Sequence, residues 1–145
     1  MKKMNNKGFS LVELIVVVLI MAIIAVALAP QVMKWVENSR KSTDCNNYDS
    51  VVSACNLALS NEDVMKEVGA GSDFSITWAG GTPGSKWDVS KSGAKFQAEL
   101  KKILGDNWNS EIVVKRTSDG ANWSIKICKN GTVERTSAPS SDKVS

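Results

Sequence analysis

Hydrophobic and polar positions fall into three regimes along this chain. Over residues 14–29 sixteen apolar residues follow one another without a break, and over 9–29 only Ser10 and Glu13 are polar. At about 1.5 Å of rise per residue the longer stretch makes roughly 31 Å of helix, enough to cross a hydrocarbon core about 30 Å thick. After Pro30 the pattern turns amphipathic with no linker. Cys45, Tyr48, Val52, Cys55 and Leu59 recur at spacings of three and four, while Asn46, Asp49, Ser53 and Asn56 occupy the opposite side. One buried stripe on a helix has that spacing. The pattern predicts a helix over 31–68 that continues the apolar one, with Pro30 bending the axis because it cannot donate the backbone hydrogen bond.

The third regime alternates. Residues 111–117 alternate around Ile112 and Val114, and residues 122–128 around Trp123, Ile125 and Ile127. Asp119-Gly120 lies between these runs and Asn130-Gly131 separates the second from 132–136. Both dipeptides favour tight turns between paired strands. The expectation is a three-stranded antiparallel meander over 111–136 whose apolar face covers the helix stripe. The connecting region 69–110 is rich in glycine and serine, with a short helix predicted over 93–104. That helix would turn Phe96, Leu100 and Ile103 inward and stop at Gly105. Residues 137–145 read as a frayed tail. The fold class is therefore α+β: one long N-terminal helix, apolar then amphipathic, on a small antiparallel sheet.

Composition narrows the chemistry. At 145 residues the chain suits one folded domain. It contains no histidine, which removes the commonest general base and the commonest transition-metal ligand. Cys45, Cys55 and Cys128 form no CxxC pair, so a structural zinc site is not indicated. The formal charge is +3, but Lys2, Lys3 and Lys7 sit within the first eight residues, and without them the side chains are close to neutral. The remaining lysines and arginines are interspersed with acids, which describes a solvated surface rather than a nucleic-acid face. No serine or cysteine has a histidine partner and no phosphate loop is present, so the chain reads as a non-enzyme without cofactor or metal.

The apolar segment admits several explanations. A signal peptide cut after Ala27-Leu28-Ala29 would place Pro30 directly after the cut, where signal peptidase tolerates proline poorly. A plain anchor accounts for the lysines, which stay cytoplasmic and leave the rest of the chain outside, but not for Glu13. A carboxylate within a membrane segment costs at least about 2.5 kcal/mol near the centre and by default marks a function. The bland alternative is a shallow Glu13 reaching back to the headgroups. Lys7-Gly8-Phe9-Ser10-Leu11-Val12-Glu13-Leu14 resembles the prepilin peptidase site of type IV pilins, pseudopilins and their relatives. The resemblance covers about the first thirty residues.

By that resemblance residues 1–8 are a leader, cut between Gly8 and Phe9, and Phe9 becomes N-methylated by the prepilin peptidase/methyltransferase. Residues 9–30 form the transmembrane and filament-core helix, with Pro30 at the family's kink, and 31–145 form the headgroup. The resemblance implies inner-membrane insertion of the precursor and passage through a pilus assembly platform. It then implies homo-oligomeric packing with other pilins into an extracellular filament for adhesion, surface motility or biofilm formation. The Phe9 amine of one subunit would pair with Glu13 of another, and Ala22, Ala25, Ala27 and Ala29 would permit close helix approach. A major pilin fits the compact size best. A pseudopilin of type II secretion or DNA uptake, and a membrane-anchored binding module, are the alternatives.

Three lesser signals remain. Trp123 and Trp35 suit core or subunit-contact roles, whereas Trp78 and Trp87 flank the glycine-rich loop and are candidate surface contacts for an undefined receptor or sugar. Cys45 and Cys55 lie ten residues apart on one helix and cannot bond each other. Either could meet Cys128, although strand alternation turns Cys128 away from the Trp123 face, and buried free thiols are the favoured state. The sequons at Asn122 and Asn130 fall in or beside tight turns and read as chance matches.

Overall fold

A computed structural model describes residues 8–78, 86–113 and 123–137. The chain divides into two compact units, Met1–Glu37 and Asn38–Ser145. Helix α1, Leu11–Leu59, runs through both and includes Pro30. In the first unit it has no covering partner: the described residues up to Val36 are all exposed. Its backbone can stand alone because helical hydrogen bonds close within the segment. It is long and apolar enough to cross a membrane, with none of its most apolar window buried by the rest of the protein.

In the second unit α1 carries the predicted stripe. Tyr48, Val52, Cys55 and Leu59 are buried, Cys45 is half-buried, and Asn46, Asp49, Ser53 and Asn56 are exposed. The stripe is wider than expected, since Val51, Ala54 and Ala58 are buried as well. The helix does not reach Val68. It ends at Leu59, and α2 spans Glu62–Ala70. Asn61 is the reason: its side-chain oxygen accepts from the Asp63 amide at 3.0 Å, and Glu62 and Asp63 place negative charge in the new first turn. An asparagine in this position satisfies an orphan amide and starts a fresh helix. The last turn of α1 closes with Ser60 and Asn61 amides donating to Leu57 and Ala58 carbonyls.

Among the described residues the sheet has four strands, not three. β1 (Phe74–Trp78), β2 (Trp87–Asp88), β3 (Trp123–Ile127) and β4 (Val133–Ser137) are ordered β2-β1-β3-β4, all neighbours antiparallel. The two later strands match the expected runs. The first expected strand does not form as drawn, because Glu111 closes a short helix, α4 (Trp108–Glu111), and residues 114–117 lie outside the described set. Asp119-Gly120 and the tail beyond residue 137 lie outside it too. β1 takes the central place, and Phe74, Ile76 and Trp78 stand opposite Ile127, Ile125 and Trp123. The predicted short helix is α3, Ala94–Leu104, flanked by Gly93 and Gly105 and burying Phe96 and Leu100.

The β3–β4 hairpin turns as its dipeptide suggested. The Gly131 amide donates to the Cys128 carbonyl and the Cys128 amide to the Thr132 carbonyl, each at 2.9 Å. Gly131 has φ 86°, a left-handed conformation that costs glycine little. Asn130 is engaged here as well, its Oδ1 accepting from the Thr132 amide at 3.0 Å. Because the strand stops at Ile127, alternation no longer governs Cys128, and it is buried rather than turned out.

Tyr48 sits at the centre of the core. Its ring meets Trp123 edge-on at 6.1 Å and Trp87 at 6.4 Å, and its hydroxyl donates to the Ser124 carbonyl at 3.0 Å. Trp78 packs on Trp123 at 5.5 Å, and Trp87 on Trp108 at 6.4 Å. Such pairs contribute roughly 0.5–1.5 kcal/mol each beyond area burial. On the surface, Arg135 joins Asp49 at 2.8 Å and lies over the Tyr48 ring at 5.8 Å.

α2 holds the start of α3. Glu67 accepts from the Lys95 amide at 3.0 Å and the Phe96 amide at 3.1 Å. A side chain 28 residues away thus serves as the N-terminal cap that Gly93 cannot supply. A Cβ at Gly93 would overlap Glu67 Oε2. Glu67→Ala should therefore lower unfolding free energy by about 1 kcal/mol. Gly93→Ala should do so by a similar amount, and urea titration of the double variant should show much less than the sum. Fully additive losses would mean that the two positions act separately.

Burial also defines the thiols. Cys55 is fully enclosed and Cys128 nearly so, and both are free. Desolvation pushes the Cys55 thiol up to about 12. Iodoacetamide at neutral pH should leave Cys55 unmodified until denaturant unfolds the head; rapid native-state alkylation would contradict this packing.

Candidate functional site

The N-terminal residues change conformation at one point. Gly8, Phe9 and Ser10 are outside the helix, and α1 begins at Leu11. Phe9 is 91% exposed, and no described residue comes within 4 Å of where a Gly8 Cβ would be. The Gly8–Phe9 peptide bond therefore lies in accessible, non-helical backbone two residues before regular structure begins. A protease can draw such a bond into an extended binding mode without unwinding a helix.

Ser10 precedes the first helical residue, and Glu13 lies in the first turn. The Ser10 amide donates to Glu13 Oε2 at 2.9 Å, and the Leu14 amide donates to the Ser10 carbonyl at 3.2 Å. A serine followed three residues later by a glutamate that reaches back to the serine amide is half of a capping box. Ser10 is the positioning residue that the sequence reading passed over, and its signal was the Ser-x-x-Glu spacing. Glu13 also opposes the positive end of the helix dipole.

The surroundings of Glu13 are apolar. Phe9, Val12, Leu14, Val16 and Val17 share one shallow concavity with it. One backbone bond does not exhaust a carboxylate, which accepts through two oxygens. Glu13 can thus hold its own helix start and still receive a cation. Phe9, four residues earlier, is where cleavage would create one.

The candidate surface contacts belong to the second unit and are described within it. Trp78 and Trp87, considered as surface contacts, are buried at 1% and 3% exposure. They fall opposite each other in the β1–β2 pairing, and the Trp87 indole donates to the Ile112 carbonyl at 2.9 Å. Their apolar rings face the Tyr48 core, so flanking a glycine-rich loop did not expose them. Trp123 is in the core, as its alternation indicated, while Trp35 is exposed on α1. Among the described residues, no group of three or more Cys, Asp or Glu side chains is placed to hold a metal ion.

With this geometry in view, the comparison with known families is decisive for the N-terminus. Residues 3–29 match the family described as the prokaryotic N-terminal methylation motif. The chain has the N-terminus of a type IV pilin-like prepilin. The match runs from Lys3 across the Gly8–Phe9 bond and the Ser10–Glu13 box into the apolar half of α1. A long apolar N-terminal helix with an antiparallel sheet is likewise a pilin-like α+β fold. No curated protein and no solved structure matches the chain.

The capping box yields a separable prediction. Glu13→Gln keeps an acceptor for the Ser10 amide, whereas Glu13→Ala removes it. A peptide of residues 9–36 in detergent micelles should keep its first-turn amide protection in the Gln form and lose it over about one turn in the Ala form. Equal protection in both would show that the Glu13 bond does not hold the helix start.

Proposed function

We propose that this protein is a structural subunit of a type IV pilus. The precursor is held in the inner membrane by α1, with its leader in the cytoplasm and its head outside. Prepilin peptidase cuts between Gly8 and Phe9 and methylates the Phe9 amine. The subunit then leaves the bilayer for an extracellular filament cored by residues 9–29, serving adhesion, surface motility or biofilm formation.

One observation carries this reading: a single carboxylate, Glu13, stands in a long uncovered apolar helix four residues from the new N-terminus. An unpaired carboxylate and an unpaired ammonium are both costly in hydrocarbon. Pairing Glu13 of one subunit with Phe9 of another relieves both costs and fixes the axial register of neighbouring helices. Removing one partner of a buried pair is more damaging than the pair is stabilising. A simple tether could use Glu13 to cap its own helix, but it has no use for a charge that pairs between subunits.

The N-terminal peptide mass of protein sheared from cells should begin at N-methylated Phe9. A start at Met1 would make the chain an anchor, and a start at Pro30 a secreted domain. Glu13→Ala and Glu13→Gln should both insert in the membrane and both fail to form filaments in electron micrographs. Normal filaments from Glu13→Gln would exclude charge pairing, because the glutamine keeps the helix cap and lacks only the charge.

A further inference from the structure

The uncovered surface of α1 does not end with the span. Beyond Pro30, Met33 is 74% exposed, Trp35 65%, Val32 47% and Val36 45%. At 100° per residue Val32, Trp35 and Val36 share one face and Met33 adjoins it, while Lys34 lies on the other side. Helical rise sets their depth. If residues 9–29 fill the hydrocarbon, the Trp35 Cα lies six residues farther out, about 9 Å past its edge. Side chains on a helix lean toward its N-terminus, which here is the membrane side, so the indole and the Lys34 ammonium both lean back toward the bilayer. The headgroup region is roughly 5–8 Å deep on each side, and it favours an amphipathic indole beside a cation that reaches phosphate.

We infer that Lys34 and Trp35 form an interfacial anchor that binds the outer phospholipid headgroup layer and sets the depth of the unassembled subunit. This rests on the membrane-inserted precursor of the proposed function. The apolar span alone leaves depth poorly fixed, since a helix of this length can slide or tilt by several ångströms at a cost of fractions of a kcal/mol per ångström. The Trp35 ring and Lys34 stop that sliding at the outer face. Subunit extraction would then begin by lifting Trp35 out of the headgroups, before the apolar residues move.

The test uses the full chain in phosphatidylcholine vesicles doped with lipids brominated either near the headgroup or near the acyl terminus. The other four tryptophans, Trp78, Trp87, Trp108 and Trp123, lie in the head core, at most 3% exposed, so bromolipid quenching should report Trp35. Shallow bromines should quench at least about twofold more than deep ones, and Trp35→Phe should abolish that quenching with the head's near-ultraviolet dichroism otherwise retained. Quenching that is deeper than shallow, or that survives in Trp35→Phe, would overturn the assignment. So would a Trp35 shielded from both bromolipids at high protein-to-lipid ratio and at low ratio alike, which would make it a protein contact. N-terminal processing is read separately from cells: quenching without cleavage at Phe9 would leave the anchor standing and defeat the pilus reading, and cleavage without quenching would do the reverse.

Discussion

A helix satisfies its own backbone wherever it is placed, and this protein depends on that property. No sheet edge or loop could carry uncovered amides through lipid, whereas α1 is long and apolar enough to do so, its backbone bonds closing inside the segment except at Pro30, which has no amide to donate. The same helix can then change its side-chain pattern without a change of backbone. Apolar residues surround it before Pro30, and a stripe faces the sheet after Asn38. Two solvents are met by one continuous element, and only its ends need special chemistry. At the start, Glu13 meets the Ser10 amide. At the finish, the chain tightens at Ser60 and restarts at Asn61.

The head is organised around aromatic contacts with polar handles. Tyr48 brings a hydroxyl to Ser124, and Trp87 brings an indole N–H to Ile112. These bonds fix which way each ring faces, which the hydrophobic effect alone does not do. A small domain with no disulfide between Cys55 and Cys128 gains its uniqueness here, from large rigid rings, two of which are oriented by a hydrogen bond to a named carbonyl.

Much of this was legible in the residues. The membrane-length helix, the stripe through Tyr48, the α3 span and its glycine boundaries, and strands β3 and β4 all followed from period and punctuation. The failures have physical causes. Asn61 is a strong cap embedded in a helical period, and period counting runs past caps. Phe74-Ser75-Ile76-Thr77-Trp78 alternates plainly, but the glycines around it suggested a loop. Trp78 and Trp87 flank a glycine-rich stretch in sequence, while their burial is decided by their neighbours across the sheet. Glu67 serving α3 from 28 residues away has no local signature at all, because nothing in either segment announces the other. At the candidate site, Gly8, Phe9 and Glu13 stood out at once, whereas the role of Ser10 needed the geometry.

The pairing of Trp78 with Trp87 bears on how the length of chain between them can vary. The two residues stand side by side in the sheet, so the chain between them leaves and returns at the same place. Both ends are nailed down by buried rings, independently of what joins them. Doubling the length of such a connection costs only about 0.6 kcal/mol of closure entropy. As far as chain closure goes, residues added between Trp78 and Trp87 would cost the sheet little, because its pairing already holds the two ends together.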